Sequence, residues 1–207
     1  AARLFRRHQL PEERSSWEKL RGELREQIWL HMGSRPQSDL ALKTEVTGEM
    51  VMDGYKIQKL LYQSRPGMFV TANLFIPDGT GRFPAVICMH GHWLQGRLAE
   101  RVQARGHQLA KSGYVCLTVD AIGAGERSSI HGEFEYHGAN LGGSFMEVGE
   151  TLMGMQLVDN MRGIDLLCSL PFVDAANIGA TGASGGGNQT MWLAAMDDRV
   201  KAAMPVV

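Results

Sequence analysis

One serine of the sequence stands among glycines, Ser184 in the segment "GASGGG". Residues 182–186 fit the pattern G-x-S-x-G, with an apolar run before them and a helix-forming run after them. In this pattern the serine occupies a strained turn between a strand and a helix, and its small neighbours, Gly182 and Gly186, let the two elements come close. The first N–H groups of the helix, beginning at Gly185, would then face any negative charge that develops beside the serine. The segment therefore predicts a nucleophilic hydroxyl.

Two other interpretations of this segment were weighed. A glycine-rich turn between a strand and a helix can bind phosphate. However, the downstream acidic residue of dinucleotide-binding folds is missing, and no Gly-Lys-Ser/Thr sequence occurs. The turn can also be purely structural. The nucleophile is favoured over both of these alternatives.

A second group of polar residues, His90-Gly91-His92-Trp93, follows the apolar run "AVICM". A nucleophilic serine requires a second N–H donor for the oxyanion, and in hydrolases with this motif the loop after such a strand supplies it. The backbone N–H of His92 is the predicted donor, while Gly91 belongs to the pocket and His90 packs into the loop. Metal binding is the alternative, since Cys88, His90 and His92 alternate and would share one face of a strand. The acidic and histidine continuation of a dinuclear site is missing, so no metal is predicted.

A third loop, "DAIGAGERS", begins at Asp120 after the apolar run "YVCLTV". It has two interpretations. The loop can shape the floor of a pocket, or it can be a glycine-rich turn in which the Asp120 carboxylate accepts backbone N–H groups. The second interpretation is favoured.

The elements that must position these loops follow from hydrophobic periodicity. Residues 55–62 and 68–77 predict an antiparallel hairpin across the turn "QSRPG". Continuous apolar strands then alternate with helices, which indicates a parallel sheet covered on both faces. The predicted strands are 83–90, 114–120, 177–183 and 200–207, and the predicted helices are 97–112, 150–169 and 188–197. The glycine-rich segment 131–149 is too long for an ordinary connection and is predicted to be a surface loop.

The first part of the chain, residues 1–44, is predicted to form a helix and a linker that pack on a domain of residues 45–207. Ser15 and Glu18 suggest a capping box, and Gly33 is expected to end the helix. The apolar residues on one face of this helix are Trp17, Leu20, Leu24 and Ile28.

The composition of the chain excludes several classes of partner. The 207 residues carry 21 Lys+Arg and 22 Asp+Glu, which favours neither nucleic acid nor an anionic membrane as a partner. No apolar run approaches the roughly 20 residues that span a bilayer, so a soluble protein is expected. The chain starts without Met, and its compartment is undecided. Three unclustered cysteines predict buried thiols rather than a disulfide framework.

Taken in order, "HGHW", "DAIGAGERS" and "GASGGG" resemble the motifs of the α/β-hydrolase superfamily over about residues 45–207. The most similar group is that of acetyl xylan esterases and dienelactone-hydrolase-like proteins, and Ser184 in place of a cysteine favours the esterases. The resemblance implies a three-layer α/β sandwich and a serine carboxylester hydrolase, acting on a small-molecule or carbohydrate ester such as an acetylated sugar. This chemistry requires no cofactor. A prolyl-oligopeptidase-like peptidase and a noncatalytic binding domain are the alternatives.

The resemblance also implies a catalytic acid and a histidine after the nucleophile. Only Asp197 and Asp198 follow Ser184 among acidic residues, and every histidine precedes it. The chain is therefore expected to be the front part of a longer hydrolase. In a short chain, His92, His131 or His137 would have to act as the base.

Overall fold

The structure is a computed structural model that describes residues 10–128 and 140–207. Seven strands form one sheet, and helices lie on both of its faces. The strands are β1 (Glu45–Met52), β2 (Tyr55–Arg65), β3 (Met68–Pro77), β4 (Phe83–Met89), β5 (Val115–Val119), β6 (Val173–Ala183) and β7 (Val200–Val206). The α-helices are α1 (Arg14–Met32), α2 (Glu100–Lys111), α3 (Asn140–Glu147), α4 (Leu152–Ser169) and α5 (Gly185–Met196), with short 3₁₀ turns at Gly96–Leu98 and Gly125–Arg127.

The strand order across the sheet is β1-β2-β3-β5-β4-β6-β7. Strands β4 to β7 run parallel to their neighbours within that group. The pairs β1–β2, β2–β3 and β3–β5 are antiparallel, so β2 shares the direction of the parallel group while β1 and β3 oppose it. The predicted α/β fold, with a mostly parallel sheet and an antiparallel N-terminal hairpin, is confirmed.

Strand β1 was not predicted from the sequence. It pairs antiparallel with β2 at the sheet edge, and seven of its eight residues are exposed. An edge strand without a buried face lacks the alternation of apolar and polar residues on which a prediction depends. The hairpin of β2 and β3 forms as predicted and turns at Gly67, whose φ of +73° lies in the left-handed region that glycine favours.

Two apolar layers hold helices against the sheet. On one face α2 covers Phe75, Cys88 and Cys116, and Gly106 in that helix leaves room for the Phe75 ring. On the other face α4 and α5 cover the central strands, and α1 packs against α4. The larger core on that face includes Tyr62, Leu117 and Ile164, all fully buried.

The N-terminal helix corrects two predictions. It begins at Arg14 after the N-cap Glu13, which makes no side-chain capping bond, and Glu18 pairs with Arg14, so the capping box at Ser15 is wrong. The predicted apolar face is correct only in part, since Ile28 is half-buried and packs against the core. Trp17 and Leu24 are 36% and 44% exposed, whereas the neighbouring face contributes Trp29 and Met32 to the core. The helix ends at Gly33, as predicted.

Two further predictions change within the glycine-rich segments. Residues 131–139 of the segment predicted as a surface loop lie outside the described residues, and Asn140–Glu147 form helix α3. The helix predicted to start at residue 188 starts at Gly185 instead, because its glycines pack closely against neighbouring backbone rather than ending the helix. Among the helices of the described residues, none combines the length and apolar character needed to cross a bilayer.

Candidate active site

Three adjacent parallel strands bring the three predicted motifs to one edge of the sheet. Met89, the last residue of β4, pairs with Val119 of β5 on one side and with Gly182 of β6 on the other. Because the carboxyl ends of parallel strands meet at one edge, the residues that follow lie side by side. The loop formed by His90–Trp93, here the histidine loop, therefore lies between the loop that begins at Asp120, here the Asp120 loop, and the turn at Ser184, here the serine turn. The three are far apart in the chain.

The backbone of Ser184 adopts an unusual conformation between β6 and α5. Its φ is +57° and its ψ is −122°, and Lys43 is the only other non-glycine residue with positive φ among the described residues. Such a conformation costs about 1–3 kcal/mol and persists only where its surroundings hold it. The Ser184 N–H donates to Val206 O at 2.7 Å, and Ser184 O accepts from the N–H of Asn188 at 3.0 Å. The Ser184 side chain is exposed, as a nucleophile requires.

Glycines surround this turn because backbone approaches it from several sides. A Cβ on Gly182 would stand 2.5 Å from the carbonyl carbon of Gly186 and 2.8 Å from Met89 O. A Cβ on Gly186 would stand 2.5 Å from Met89 O and 2.7 Å from His90 O. Gly187, which was not predicted to matter, meets the Val206 backbone in the same way. Side chains at these positions would separate α5 from strands β4 and β7.

His90 links the histidine loop to the Asp120 loop. Its side chain is fully buried, and its Nε2 accepts the N–H of Ala121 at 2.9 Å. The proton of the neutral ring is therefore on Nδ1, which donates to Gly91 O at 2.7 Å. Burial lowers the pKa of His90 below its ordinary value, so the ring stays neutral at pH 7.

These contacts fix the orientation of the peptide between Gly91 and His92. Gly91 O accepts from His90 Nδ1 at 2.7 Å and from the Trp93 N–H at 2.8 Å. The peptide is trans, as are all those described, so the N–H of His92 points away from the side of the Gly91 oxygen. A Cβ on Gly91 would stand 2.8 Å from Ala183 O, so the loop packs directly against the serine turn.

The structure also brings the His92 side chain to the serine. Its Nδ1 lies 3.1 Å from Ser184 Oγ, within hydrogen-bonding distance. The sequence pattern assigned the backbone of His92 to the oxyanion and named its ring only as one of three possible bases, without a spacing signal for this contact. The other two histidines considered as bases, His131 and His137, lie outside the described residues.

Asp120 is fully buried and accepts hydrogen bonds from two loops. Its carboxylate accepts the backbone N–H of Arg97 at 2.7 Å and of Glu126 at 3.3 Å, and the Thr71 hydroxyl at 2.8 Å. It also forms an ion pair with the buried guanidinium of Arg97. This arrangement matches the interpretation of Asp120 as an acceptor of backbone N–H groups.

Arg97 was missed by the sequence analysis. Its guanidinium contacts Asp120, Glu126 and Asn73, the last at 3.2 Å through Nε. An arginine in a polar loop gives no periodic signal, and an acidic partner 23 residues away is not visible from spacing. Arg97 joins the 3₁₀ turn after the histidine loop to the Asp120 carboxylate.

The metal interpretation finds no support in the geometry. Strand β4 ends at Met89, so the strand alternation that would place the three side chains on one face does not extend to His90 and His92. His90 is buried and His92 is exposed, while Cys88 Sγ lies 3.4 Å from Cys116 Sγ. In the part of the chain that the structure describes, no three His, Cys, Asp or Glu residues are grouped so as to hold a metal ion.

The two aspartates after Ser184 have other partners. Asp197 binds Arg199, and Asp198 binds Arg21 and Arg25 of α1. Both follow the C-terminal end of α5, whose 12 residues place them about 18 Å from the serine turn. Neither is in position to act with Ser184.

Comparison with known proteins agrees with this geometry. The sequence model of the acetyl xylan esterase family matches residues 34–207. The chain belongs to the acetyl xylan esterase family. It is 27% identical over 197 residues to the proposed hydrolase YtaP of Bacillus subtilis (strain 168), covering 88% of this chain and 62% of that protein. The α/β-hydrolase resemblance inferred from the three motifs is therefore confirmed.

Solved structures carry the same fold. A proposed acetyl xylan esterase from Bacteroides fragilis superposes with a TM-score of 0.73 at 20% identity, over 91% of this chain and 52% of that one. The methylesterase BT1017 superposes with a TM-score of 0.72 at 26% identity, over 96% of this chain and 43% of that one. The chain thus spans between about two fifths and three fifths of the length of these three proteins.

Proposed function

We propose that the protein is a serine carboxylester hydrolase that works through an acyl-enzyme on Ser184. The observation that carries the proposal is the backbone of Ser184, held at φ +57° at the N-terminus of α5 with an exposed side chain. Strain of this kind is concentrated at functional sites, and here it lifts a hydroxyl above the end of the sheet.

The backbone supplies two donors for the oxyanion. Gly185 is the first residue of α5, and the first N–H groups of a helix have no partner within it. The N–H of His92 points away from the Gly91 oxygen, which is held by two hydrogen bonds. In this proposal Gly185 and His92 stabilise the tetrahedral intermediate, and loss of one such donor costs about 10²–10³ in rate.

The proton of Ser184 requires a general base. Since the acid and the histidine of this fold come after the nucleophile, we propose that a histidine outside these 207 residues takes the proton and later returns it to the leaving alcohol. The chain spans 62% of the length of its relative YtaP, which supports this assignment.

The proposed substrate is an acetylated carbohydrate, and the name of the family supports this choice. An open cavity of about 680 Å³ is lined by Trp93, which follows His92 in the chain, and by Gln95, Glu100 and Arg101. The Arg101 guanidinium lies 5.0 Å from the centre of the Trp93 ring and holds it in place. Apolar ring surface beside hydrogen-bonding groups suits a sugar with free hydroxyls.

The test uses the complete protein. Its hydrolysis of p-nitrophenyl acetate and of acetylated xylo-oligosaccharides is measured, together with labelling by a fluorophosphonate probe. We expect Ser184→Ala to lose both activities and the label, while Ser112→Ala at the end of α2 retains them. Unchanged activity in Ser184→Ala would contradict the proposal. A protein that is neither active nor labelled would point to a noncatalytic domain.

A further inference from the structure

We infer that the imidazole of His92, in addition to its backbone N–H, is a catalytic hydrogen-bond donor to the oxyanion formed at Ser184. The inference rests on the proposed function, because it requires Ser184 to be the nucleophile. It is carried by the 3.1 Å distance between His92 Nδ1 and Ser184 Oγ. One residue would then give the site two donors, one from the main chain and one from the side chain.

The position of His92 favours a donor over a base. A base has to reach both the serine oxygen and the leaving oxygen, whereas oxyanion donors lie on the side of the carbonyl oxygen. The histidine loop that carries His92 is the loop whose N–H faces that side. The ring contacts Oγ from the same loop, and we therefore place it on the oxyanion side of the nucleophile.

The loop is held rigidly enough for this role. Gly91 O is fixed by two hydrogen bonds, His90 is buried and bonded to Ala121, and Gly91 packs against Ala183. A donor lowers the barrier most when it is in place before the charge develops, because the free energy of moving it into place would offset the stabilisation of the oxyanion. The fixed Gly91–His92 peptide holds the N–H of His92 in place. It also fixes the Cα of His92, from which the ring extends.

Acylation of Ser184 forms one bond to the carbonyl carbon and breaks the bond from that carbon to the alcohol oxygen. Oγ attacks the ester carbonyl carbon and forms the C–O bond, its proton passes to the general base, and the carbonyl π electrons move to the oxygen. That oxyanion accepts hydrogen bonds from the N–H groups of Gly185 and His92 and from Nδ1–H of His92. When the intermediate collapses, the carbonyl re-forms, the bond to the alcohol oxygen breaks, and the base returns its proton to the leaving alcohol.

Two substitutions separate a donor from a base. His92→Asn places an amide N–H close to the position of Nδ1 but cannot act as a base at neutral pH, while His92→Leu offers neither. Both keep the backbone N–H. In the complete protein we expect His92→Leu to lose about 10²–10³ in kcat with little change in KM, as for the loss of one oxyanion donor. We expect His92→Asn to recover most of this loss, with the pH profile of kcat/KM unchanged in shape.

The controls distinguish this inference from the proposed function. His31→Leu, at an exposed histidine of α1, should match the wild type. Full activity in His92→Leu, alongside an inactive Ser184→Ala, would overturn the inference and leave the nucleophile standing. Equal inactivity of His92→Asn and His92→Leu, with loss of the acidic limb of the pH profile, would make His92 a base and would also overturn it. An active Ser184→Ala would instead remove the proposed function.

A measurement on the wild type decides the matter if either variant fails to fold. Histidine labelled with ¹⁵N is followed by NMR as a boronic acid inhibitor, a mimic of the tetrahedral intermediate, is added. We expect a slowly exchanging, downfield proton on Nδ1 of His92 when the inhibitor binds. An Nδ1 without such a proton in the complex would overturn the inference.

Discussion

Met89 and Gly182 pair across strands β4 and β6, and their backbones lie so close that a Cβ on Gly182 would stand 2.8 Å from the Met89 carbonyl oxygen. Gly182 also faces the backbone of Gly186 at the start of α5. The strand, the helix and the neighbouring strand therefore meet at a point where only a hydrogen atom fits. The conformation of Ser184 depends on this contact.

Gly182→Ala should therefore destabilise the protein and displace the serine turn. We expect a loss of about 1–3 kcal/mol in the free energy of unfolding, as for other overpacked sites, and a loss of the proposed esterase activity because the serine turn is displaced. Gly143→Ala is the matched control, since Gly143 lies in helix α3 with open space around it. It should be neutral or stabilising by up to about 1 kcal/mol. Urea unfolding of both variants checks this, and equal stabilities would contradict it.

Asp120→Ala should destabilise the protein because it leaves the Arg97 guanidinium buried without its closest carboxylate. We expect a loss of about 3–5 kcal/mol, the usual effect of breaking a buried ion pair from one side. Glu126→Gln removes the other carboxylate that contacts Arg97, but the Glu126 side chain is 60% exposed. Its loss should cost less than about 1 kcal/mol. The free energies of unfolding of the two variants are measured by chemical denaturation. A larger loss in Glu126→Gln than in Asp120→Ala would show that the exposed Glu126, rather than Asp120, is the main partner of Arg97.

The neutral state of His90 should make stability sensitive to acid. Because burial lowers the pKa of His90 in the folded state, the unfolded chain binds the proton first as the pH falls. The contribution of His90 is therefore present above the ordinary histidine pKa of about 6.5 and is lost as the pH falls towards the folded value. His90→Gln should lower stability at pH 7.5 and flatten its decrease between pH 7.5 and 5.5. His31→Gln should retain the wild-type slope, and a His90→Gln slope equal to it would contradict this explanation.

The three thiols should differ in their reactivity. Cys88 and Cys116 are buried against each other, and the hydrogen bond to Cys88 together with burial raises the pKa of Cys116 well above its ordinary value. Cys168 is half-buried, and burial raises its pKa as well. Since the thiolate is the reactive form, iodoacetamide should modify Cys168 slowly in the native protein and the other two only after unfolding. Mass spectrometry measures this, with Cys168→Ser as the control. Native-state modification of Cys116 would contradict the packing described here.

The sequence predicted the part of the fold that depends on continuous apolar runs. Strands β4, β5 and β6 and helix α4 are recognisable because each contains a continuous apolar run that is buried in the fold. Strand β1 was missed because its exposed residues produce no such pattern. The start of α5 was misplaced because its first three residues are glycines, which disfavour an isolated helix, and two of them, Gly186 and Gly187, are required by contacts with other strands.

The residues of the candidate site likewise include some that the sequence predicted and some contacts that it did not. Ser184 and the loops at His90 and Asp120 were found because glycine spacing at strand ends is a local signal. The sequence offered the ring of His92 only as one of three possible bases, and it missed the pairing of Arg97 with Asp120. Both contacts join residues that follow different strands, at distances that spacing does not encode. Side-chain direction after a strand end is set by hydrogen bonds such as that from His90 to Gly91, and these appear only in three dimensions.

The packing around the Asp120 carboxylate limits which substitutions homologous sequences can accept at neighbouring positions. Gly96 and Gly125 both have positive φ, and a Cβ on either would meet the Asp120 side chain. The same carboxylate neutralises Arg97. These four residues, which lie in two loops, therefore depend on one another for space and for charge. A lineage that replaces Asp120 with a small residue frees the space beside both glycines and leaves Arg97 without its partner. We therefore expect these four positions to change together among homologous sequences, while the sheet beneath them stays the same.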